Sequence, residues 1–584
     1  MLQDQDLLSI QEVRSKVEQA YEAWQKYRAY SQEQIDSIVE AMAAAARAHS
    51  ERLAGLAVEE TSYGNAKDKH VKNLLACDIL PRRMRGMKTV GVLRELPEEK
   101  IVEIAVPVGV VAAILPTTNP TSTAIYKTLI SLKAGNAVVV SPHPRAYRCT
   151  CETVGILDDA ARQAGAPEGL IQCVYTATME GTQALMRHER TSVILATGGS
   201  GMVKAAYSSG KPAFGVGPGN VPVLIDASAD VEDSVAKVVA GKSFDYGTVC
   251  SSEQAIVAEE SLRERVMAAL RAQKAFLADD AQRDALGKLL ILPNWTVNPK
   301  CVGQAPGKIA RLAGFEVPAD TSIICVEISG VGKQHPLSAE KLSPVLSLHF
   351  VKDFSAAVEA CHALLKFGGL GHTSVIYARD DTRVRQFALR MPAMRVLVNT
   401  PSPQGSTGIT TNVFPAMTLG CGAVAGNATS DNIGPMNLIN VKRLAYAVRE
   451  AREAFQTPIA AGAAGDGRID RNVVAAAVDR YLAARGLGSG PGAAPVSNIA
   501  AEVVDRFLSG RSVRKSAASA AADPPKIEPP PVSASVPIAD FVSEADVRAA
   551  IRDSRKIYIG PKTIVTPSAR ELAAPSDILV VAQG

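Results

Sequence analysis

Short runs of apolar, mostly β-branched residues alternate with helical patterns along most of this 584-residue chain. Residues 101–103 and 108–115 are two such runs, residues 121–134 have a helical pattern, and residues 137–140 form the next run. Strands that alternate with helices in this way predict a parallel sheet and an α/β fold. The length exceeds what one compact core supports, so we expect two or three domains.

The same alternation continues to about residue 449, after which the character of the chain changes. Beyond residue 457 the composition shifts to Ala, Gly, Ser and Pro, and the proline runs at 524–525 and 529–531 indicate an extended linker. Further helices are predicted at 10–57, 181–186, 202–208 and 231–240, and further strands at 170–175, 192–196, 223–226, 255–257, 289–292, 323–326, 348–351 and 374–378.

The composition excludes several function classes. A hydrophobic content of 47% and a charged content of 21% describe a soluble globular protein, and the net charge of +4 gives no reason to expect nucleic acid. The longest apolar run, residues 104–115, is too short to span a bilayer. Residues 1–12 lack the apolar segment of a secretory signal, and nine cysteines without regular spacing indicate reduced thiols in the cytoplasm. No histidines and cysteines have the spacing of a metal site, so we expect no metal.

Cys250 differs from the other eight cysteines in its sequence surroundings. Gly247, Thr248, Ser251 and Ser252 flank it, and these small residues leave room for a substrate carbon to approach the sulfur. A thiolate can add to an aldehyde, and the thiohemiacetal becomes a thioester once a hydride leaves. An isolated cysteine is more often a buried structural residue, so the rest of the chain has to support a nucleophile.

Three further loops contain residues suited to this chemistry. Asn119 follows a predicted strand, and a carboxamide N–H there is suited to stabilise the oxyanion that forms when a thiolate attacks an aldehyde. Residues 197–201 (Thr-Gly-Gly-Ser-Gly) lie between a predicted strand and a predicted helix, where glycine lets the backbone approach a phosphate. Residues 214–222 form a third, glycine-rich loop ahead of Cys250. One glycine loop is weak evidence, and the order of all four motifs is the stronger signal.

In this order the motifs resemble the aldehyde dehydrogenase superfamily, specifically its CoA-acylating branch, over residues 13–449. The resemblance implies a Rossmann-like domain for the nicotinamide cofactor at 1–240 and an α/β catalytic domain with the nucleophilic cysteine at 241–430. Residues 431–457 are then expected to return to the cofactor and oligomerisation region. A β-hairpin arm near residues 98–106 is expected to join subunits in a homodimer or homotetramer.

The resemblance also implies roles for single residues. Cys250 matches the nucleophile, Asn119 matches the oxyanion-hole asparagine, and Glu340 matches the glutamate that holds the nicotinamide ribose. His372 and Ser402 are expected near CoA or the substrate, and a loop histidine held by hydrogen bonds is an equally good interpretation of His372. The residues expected to bind the nicotinamide cofactor are Thr117, Ser141, His143, Thr197, Gly198, Gly199, Ser200, Gly217 and Glu340.

Two departures from the common family pattern bear on the reaction and on the cofactor. Val216 stands where hydrolytic members have a glutamate that activates water, and a valine cannot accept a proton. The acyl-enzyme is therefore expected to react with the thiol of CoA and to give an acyl-CoA. His143 stands where the common pattern has a lysine that meets the adenosine ribose, so the choice between NAD and NADP stays open. Arg145 is close enough in sequence to serve a 2′-phosphate.

Residues 458–584 have no place in the catalytic fold and are expected to form a partly disordered tail. Amphipathic helices are predicted in it at 468–485, 497–508 and 543–554, and short helices on a tether are docking elements. They look like the peptides that carry enzymes into bacterial microcompartments, and residues 559–570 resemble terminal sequences of other microcompartment proteins. Shell proteins or co-encapsulated enzymes are thus expected partners.

The expected function is oxidation of a small aldehyde to an acyl-CoA with reduction of NAD or NADP. The alternatives are an acylating sulfoacetaldehyde dehydrogenase, a hydrolytic aldehyde dehydrogenase that makes a free acid, and a non-catalytic scaffold with a docking tail. Formation of acyl-CoA separates the hydrolytic enzyme from the acylating ones. Too few residues follow Arg449 for the iron alcohol dehydrogenase domain of the related bifunctional enzymes, so we expect none.

Overall fold

Helices begin the described part of the chain, as the spacing of its apolar residues predicts. The computed structural model describes residues 4–451, 539–553, 555–573 and 578–581. Asp4 caps the first helix through its carboxylate, and Ser31 and Gln34 form a capping box at the second. The helices of this segment are α1 (Gln5–Tyr27), α2 (Gln32–Ala48), α3 (Ser50–Thr61), α4 (Ala66–Leu74), a π-helical turn (Leu75–Ile79) and α5 (Leu80–Met84).

A five-stranded parallel sheet follows, in the strand order β5-β4-β3-β6-β7. Its strands, their crossover helices and the preceding hairpin are β1 (Gly91–Leu96), β2 (Ile101–Pro107), β3 (Val110–Ile114), α6 (Pro120–Lys133), β4 (Ala137–Ser141), α7 (Tyr147–Gln163), β5 (Ile171–Cys173), α8 (Met179–Arg187), β6 (Thr191–Thr197), α9 (Ser200–Tyr207) and β7 (Ala213–Val216). All five residues of β3 are buried, as expected for the central strand of such a sheet.

The register of this sheet brings three loops to one edge. Ile114 at the end of β3 pairs with Ser141 on β4 and with Ala196 on β6, and Thr197 pairs with Val216 on β7. The chain runs outward from β3 to one side through β4 and β5, and then crosses to the other side at β6. Ligands bind at such a switch point, outside the carboxyl ends of the strands.

A fully buried lysine joins the two strands at this switch point. Lys127 on α6 donates hydrogen bonds of 2.7 Å to the carbonyl oxygen of Ile114 and 2.8 Å to that of Leu195. Burial lowers the pKa of Lys127 well below its usual value. The carbonyl groups supply the polar partners that this side chain needs in an apolar core.

A second parallel sheet has seven strands in the order β10-β11-β12-β9-β8-β13-β14. Val223 on β8 pairs with both Ile256 and Val375, so β8 belongs to this sheet and the two halves meet between Val216 and Val221 rather than at residue 240. The elements are β8 (Val221–Ile225), α10 (Val231–Ser243), β9 (Glu253–Glu259), α11 (Arg263–Ala272), β10 (Phe276–Ala278), α12 (Asp280–Leu290), α13 (Pro306–Ala313), β11 (Ile324–Glu327), β12 (Val345–Val351), α14 (Phe354–Gly368), β13 (Gly371–Tyr377), α15 (Asp381–Arg390), β14 (Ala393–Val398) and α16 (Ser402–Ser406).

The strand predicted at 289–292 is wrong. Residues 289 and 290 end α12, which begins at a capping box formed by Asp279 and Gln282, and Ile291 makes only an isolated bridge with Val297. The run is mostly leucine, which suits a helix as well as a strand, and packing of Leu286 and Leu290 into the core decides the outcome.

An antiparallel hairpin and a returning strand form a third sheet. β1 and β2 are joined by a turn at residues 97–100, and β15 (Ile439–Ala445) pairs with β2 along its whole length. Glu103 on β2 accepts hydrogen bonds from Arg94 at 2.6 Å and from Arg443 at 3.1 Å, so its carboxylate links all three strands. The hairpin lies where the arm at 98–106 is expected.

The chain divides into two compact units, Met1–Glu450 and Ala451–Gly584, and the second contains a small parallel sheet. This sheet adds strands that the sequence did not predict to the expected tail with short helices. Val542, Val547, Ala569 and Ile578 share its buried cluster, which the linker composition does not indicate. The predicted helix at 543–554 is confirmed, and those at 468–485 and 497–508 lie outside the described residues. The elements are β16 (Ala539–Val542), α17 (Glu544–Arg552), β17 (Ile557–Val565), α18 (Pro567–Ala573) and β18 (Leu579–Val581).

Within the described ranges, no helix is both long enough and apolar enough to cross a bilayer.

The buried face of α6 offers a test of how the first sheet is stabilised. Leu129 is 0% exposed on α6, and Leu389 on α15 is 88% exposed. We expect Leu129→Ala to lower the free energy of unfolding by about 2–5 kcal/mol because it removes buried methyl groups and leaves a cavity. The matched variant Leu389→Ala should change it by less than about 0.5 kcal/mol. Urea unfolding followed by circular dichroism measures both, and equal shifts of the two midpoints would contradict this packing.

Candidate active site

A cavity of about 950 Å³ opens at the carboxyl edge of the first sheet, at its switch point. The loops after β3, β6 and β7 line it together with the segment around Cys250 and the loop that contains Glu340. The structure thus brings together most of the residues expected to act: Thr117, Asn119, His143, Thr197, Gly198, Gly199, Gly217, Cys250 and Glu340.

The remaining expected residues lie outside the lining of this cavity. Ser141 is buried at the end of β4, where its Oγ lies 2.9 Å from Oγ1 of Thr182, a lining residue that the sequence did not indicate. Ser200 begins α9. Ser402 is buried and donates its backbone N–H to Oε1 of Glu253 at 2.6 Å. Ser141 and Ser402, which the sequence predicted at the site, are therefore buried outside the cavity lining.

Cys250 is the one cysteine of nine that is not fully buried, and all nine lie within residues 4–451. Burial and the nearby carboxylate of Glu340 raise the pKa of its thiol to about 12, while the charge of Arg395 opposes the shift. At neutral pH the free protein therefore holds Cys250 as the thiol. A reaction at this sulfur therefore requires that the thiol lose its proton.

Asn119 stands between the end of β3 and the start of α6 and lines the cavity. Its side chain makes no capping bond to α6. Instead, Oδ1 accepts a hydrogen bond from Nζ of Lys72, and Nδ2 donates to Oγ1 of Thr118 at 3.1 Å. Hydrogen bonds with Lys72 on α4 and with Thr118 thus hold the carboxamide in place.

A buried charge cluster lies beneath the cavity, and sequence reasoning missed it. Asp245 accepts hydrogen bonds from Nζ of Lys69 at 3.0 Å and from Nζ of Lys72. Burial lowers the pKa of Lys72 to about 8 and the charge of Asp245 opposes that shift, so the ammonium form prevails at neutral pH. The only sequence feature that could have indicated the cluster is the pair of lysines three residues apart on one helix. Nothing in the sequence places this pair beside Asp245.

Gly219 controls how closely the β7–β8 loop approaches the nucleophile. A Cβ there would collide with the carbonyl oxygen of Cys250 and would lie 3.0 Å from the ring of His372. Its N–H donates to Oε1 of Glu340 at 2.9 Å. Burial raises the pKa of Glu340 to about 7, and the Gly219 N–H opposes the rise. Only a residue without a side chain fits this position.

His372 is fully buried behind this glycine and does not line the cavity. Its Nδ1 lies 3.0 Å from Oγ1 of Thr373, and its Nε2 has no hydrogen-bond partner among the described residues. Burial and the charge of Arg395 lower the pKa of His372 to about 3, so the ring is neutral.

The lining contains little that accepts a proton from water. Val216 lines the cavity and is 3% exposed, and Glu340 supplies the only carboxylate among the lining residues. His143 is the only histidine there; its Nδ1 accepts the N–H of Arg145 at 3.1 Å, and burial lowers its pKa. Arg145 itself lies outside the lining, and its guanidinium stacks 5.4 Å from the ring centroid of Tyr63.

The cavity also has features that fit a dinucleotide. Gly199 precedes α9 without any side-chain cap, which leaves the first N–H groups of that helix for a phosphate. No group of three or more His, Cys, Asp or Glu side chains in the described parts of the chain could hold a metal ion.

Comparison with known proteins gives a consistent set of relatives. A sequence model described as the aldehyde dehydrogenase family matches residues 4–286. Succinate-semialdehyde dehydrogenase (acetylating) from Clostridium kluyveri is 36% identical over 440 residues, which cover 75% of this chain and 97% of the relative. The bifunctional aldehyde-alcohol dehydrogenase AdhE of Escherichia coli strain K12 is 44% identical over 442 residues, 75% of this chain, but the chain spans only 50% of that protein's length.

Solved structures agree. An acetylating aldehyde dehydrogenase from Geobacillus thermoglucosidasius is 48% identical with a TM-score of 0.76, and the match covers 77% of this chain and 99% of that one. A propionaldehyde dehydrogenase from the fucose utilisation bacterial microcompartment of Clostridium phytofermentans is 28% identical, with a TM-score of 0.68 and coverage of 75% and 98%. A Rhodopseudomonas palustris propionaldehyde dehydrogenase with bound CoA and an acylated cysteine is also 28% identical, with a TM-score of 0.68 and coverage of 74% and 97%.

The raised pKa of Cys250 predicts how the free protein reacts with an alkylating agent. With a thiol pKa of about 12, the thiolate fraction grows about tenfold for each pH unit throughout the range below that value. We therefore expect the rate of iodoacetamide labelling to rise without a plateau between pH 7 and pH 10, as measured by mass spectrometry of the Cys250 peptide. Cys250→Ser is the control for the other eight thiols, and a plateau near pH 8.5 would show an ordinary pKa.

Proposed function

The chain belongs to the aldehyde dehydrogenase family, and on that premise we propose that it is a CoA-acylating aldehyde dehydrogenase. It oxidises a small aldehyde to an acyl-CoA and reduces NAD or NADP. The observation that carries this proposal is the composition of the cavity wall, which contains both Cys250 and Val216. The family resemblance matches Val216 to the water-activating glutamate of hydrolytic members.

The chemistry begins at Cys250. Its sulfur, once deprotonated, bonds to the aldehyde carbon, and the carbonyl oxygen becomes an oxyanion that the Nδ2–H of Asn119 and a backbone N–H stabilise. The nicotinamide cofactor, when bound, supplies a hydride acceptor. Loss of the hydride from the carbon leaves a thioester on Cys250. The thiolate of CoA then attacks the thioester carbon, and the sulfur of Cys250 departs as the leaving group.

Water competes poorly with CoA at this thioester. Hydrolysis needs a base beside the water, and Val216, which lines the cavity and matches the place of the glutamate of hydrolytic members, cannot accept a proton. The names of the relatives support the same conclusion, because an acetylating enzyme and a structure with bound CoA and an acylated cysteine are among them.

We assign the nicotinamide cofactor to the loops after β3, β4, β6 and β7. The N-terminus of α9 would hold the phosphates, and Glu340 and His143 would bind the two riboses. The fit rests on the uncapped start of α9 and on a cavity of about 950 Å³ that adjoins Cys250.

The antiparallel arm is proposed to join subunits in a homodimer or homotetramer. Val92 on β1 and Val441 and Leu444 on β15 are 45%, 37% and 45% exposed, so both strands that flank β2 carry exposed apolar side chains. A partner subunit that covers them would gain the free energy of burying apolar surface.

Residues 451–584 are proposed to bring the enzyme into a protein shell of the bacterial microcompartment type. The site residues all lie in the first unit, which leaves the second free for docking. A relative from a microcompartment supports this setting, as does the amphipathic pattern at 468–485 and 497–508.

The need for CoA can be measured directly. Without CoA, aldehyde and NAD or NADP should give a burst of about one reduced nicotinamide per active site and then almost none, because the thioester persists. Added CoA should restore continuous turnover with formation of acyl-CoA, detected by mass spectrometry. Cys250→Ser should give neither burst nor turnover. Equally fast production of carboxylate without CoA would refute the acylating assignment.

The role of the tail can be separated from the chemistry by deletion. A variant that lacks residues 458–584 should keep its kcat/KM, since no described site residue lies beyond residue 450, but should no longer co-sediment with shell proteins. A shorter deletion of residues 539–584 keeps the two predicted helices and should retain some co-sedimentation. Loss of activity in the longer deletion would mean that the tail belongs to the catalytic fold.

A further inference from the structure

Lys72 on α4 contacts both Asn119 and the segment before Cys250, although it does not line the cavity. Its Nζ donates to Oδ1 of Asn119, to Oδ2 of Asp245 and, at 3.2 Å, to Oγ1 of Thr248. An ammonium group has three N–H bonds and no acceptor, so these partners use all of its donors. The side chain is 3% exposed, which keeps water from replacing any of the three.

The contact with Lys72 fixes which way the carboxamide of Asn119 faces. An ammonium can only donate, so the atom that meets it must be the oxygen Oδ1, and Nδ2 must face the other way. Oγ1 of Thr118 accepts one of the two N–H bonds of Nδ2, at 3.1 Å, and no second acceptor is bonded to Nδ2 in the described part of the chain. The other N–H therefore remains to stabilise an oxyanion.

The same lysine also holds the segment that leads to the nucleophile. Asp245 and Tyr246 have φ values of 47° and 51°, a left-handed conformation that is unfavourable for residues with a side chain. The carboxylate of Asp245 is held in place by Lys72, by Lys69 at 3.0 Å and by Oγ1 of Thr248 at 2.5 Å. These bonds stabilise the bend that ends just before Cys250.

Lys69 supplies a matched comparison on the same helix. It is as deeply buried, and it shares Oδ2 of Asp245 with Lys72. Its other bond, at 2.8 Å, is to the backbone carbonyl of Thr118 and not to the side chain of Asn119. Removing either lysine takes one positive charge from Asp245, but only the loss of Lys72 frees the carboxamide.

We propose that Lys72 is a positioning residue that orients the carboxamide of Asn119 for the oxyanion and ties it, through Asp245 and Thr248, to the segment before Cys250. This inference rests on the proposed function, because it takes Asn119 to be the oxyanion donor. Lys72 does not touch the substrate and acts only through its neighbours.

A double-mutant cycle tests the proposal. Asn119→Ala should lower the rate of hydride transfer in a single turnover by about 100- to 1,000-fold, as loss of an oxyanion donor does. Lys72→Met should lower it by about 100-fold in the wild-type background, with KM for the aldehyde changed much less. In the Asn119→Ala background, Lys72→Met should cost no more than Lys69→Met does, because only its share in holding Asp245 remains.

Lys69→Met is the control and should cause the same fold-loss with Asn119 present or absent. Equal fold-losses for Lys72→Met in the two backgrounds would overturn the proposal and leave Lys72 a structural residue. If Lys72→Met does not fold, as judged by its melting temperature, Lys72→Ala, which also lacks a donor for Oδ1 of Asn119, takes its place in the cycle with the same criteria.

The single-turnover step precedes the reaction with CoA, so the cycle separates two kinds of failure. Wild-type protein that transfers hydride but hydrolyses its thioester would refute the acylating function. Coupling between Lys72 and Asn119 would still be possible in that case. Wild-type protein that needs CoA but shows no coupling would refute the role of Lys72 alone. Wild-type protein without hydride transfer from any aldehyde would refute both.

Discussion

The pairing of β3 with β4 on one side and β6 on the other is the constraint on which the site depends. It sets Ile114, Ser141 and Ala196 side by side, so the loops that follow these three strands begin at the same carboxyl edge of the sheet. Lys127 strengthens this arrangement because its ammonium bonds to carbonyl groups at the ends of both β3 and β6. A slip of one residue in either pairing would exchange the side chains that pack on the two faces of these strands and would displace the loops that follow.

Cys250 lies just before β9 of the second sheet, and a buried charge cluster connects its segment to α4 and Asn119. Asp245 lies at a left-handed bend between α10 and Cys250, and two lysines of α4 bind its carboxylate. Burying three charged groups is expensive, and a hydrophobic set of similar volume can be more stable. Their presence beneath Asn119 and Cys250 suits a site that needs fixed geometry more than it needs stability.

Burial sets the protonation of the titratable groups around Cys250. The thiol of Cys250 has a pKa of about 12, the carboxyl of Glu340 about 7 and the imidazole of His372 about 3, so burial shifts each of them towards its neutral form. A neutral thiol is a weak nucleophile, so burial restrains the reactivity of Cys250 in the free protein.

The sequence by itself determined the class of fold, because alternation of apolar runs and helical patterns reports which faces are buried. It also determined the family and predicted Cys250 and Asn119 as site residues, since motif order needs no coordinates. Tertiary structure alone decided that residues 289–290 are helical, that β8 joins the second sheet and that residues 539–581 contain a small parallel sheet. It alone placed Lys72 between Asn119 and Asp245, and it put His372 and Ser402 behind the cavity wall. Those facts depend on contacts between residues far apart in the chain, and a pattern of neighbours along the chain does not record such distances.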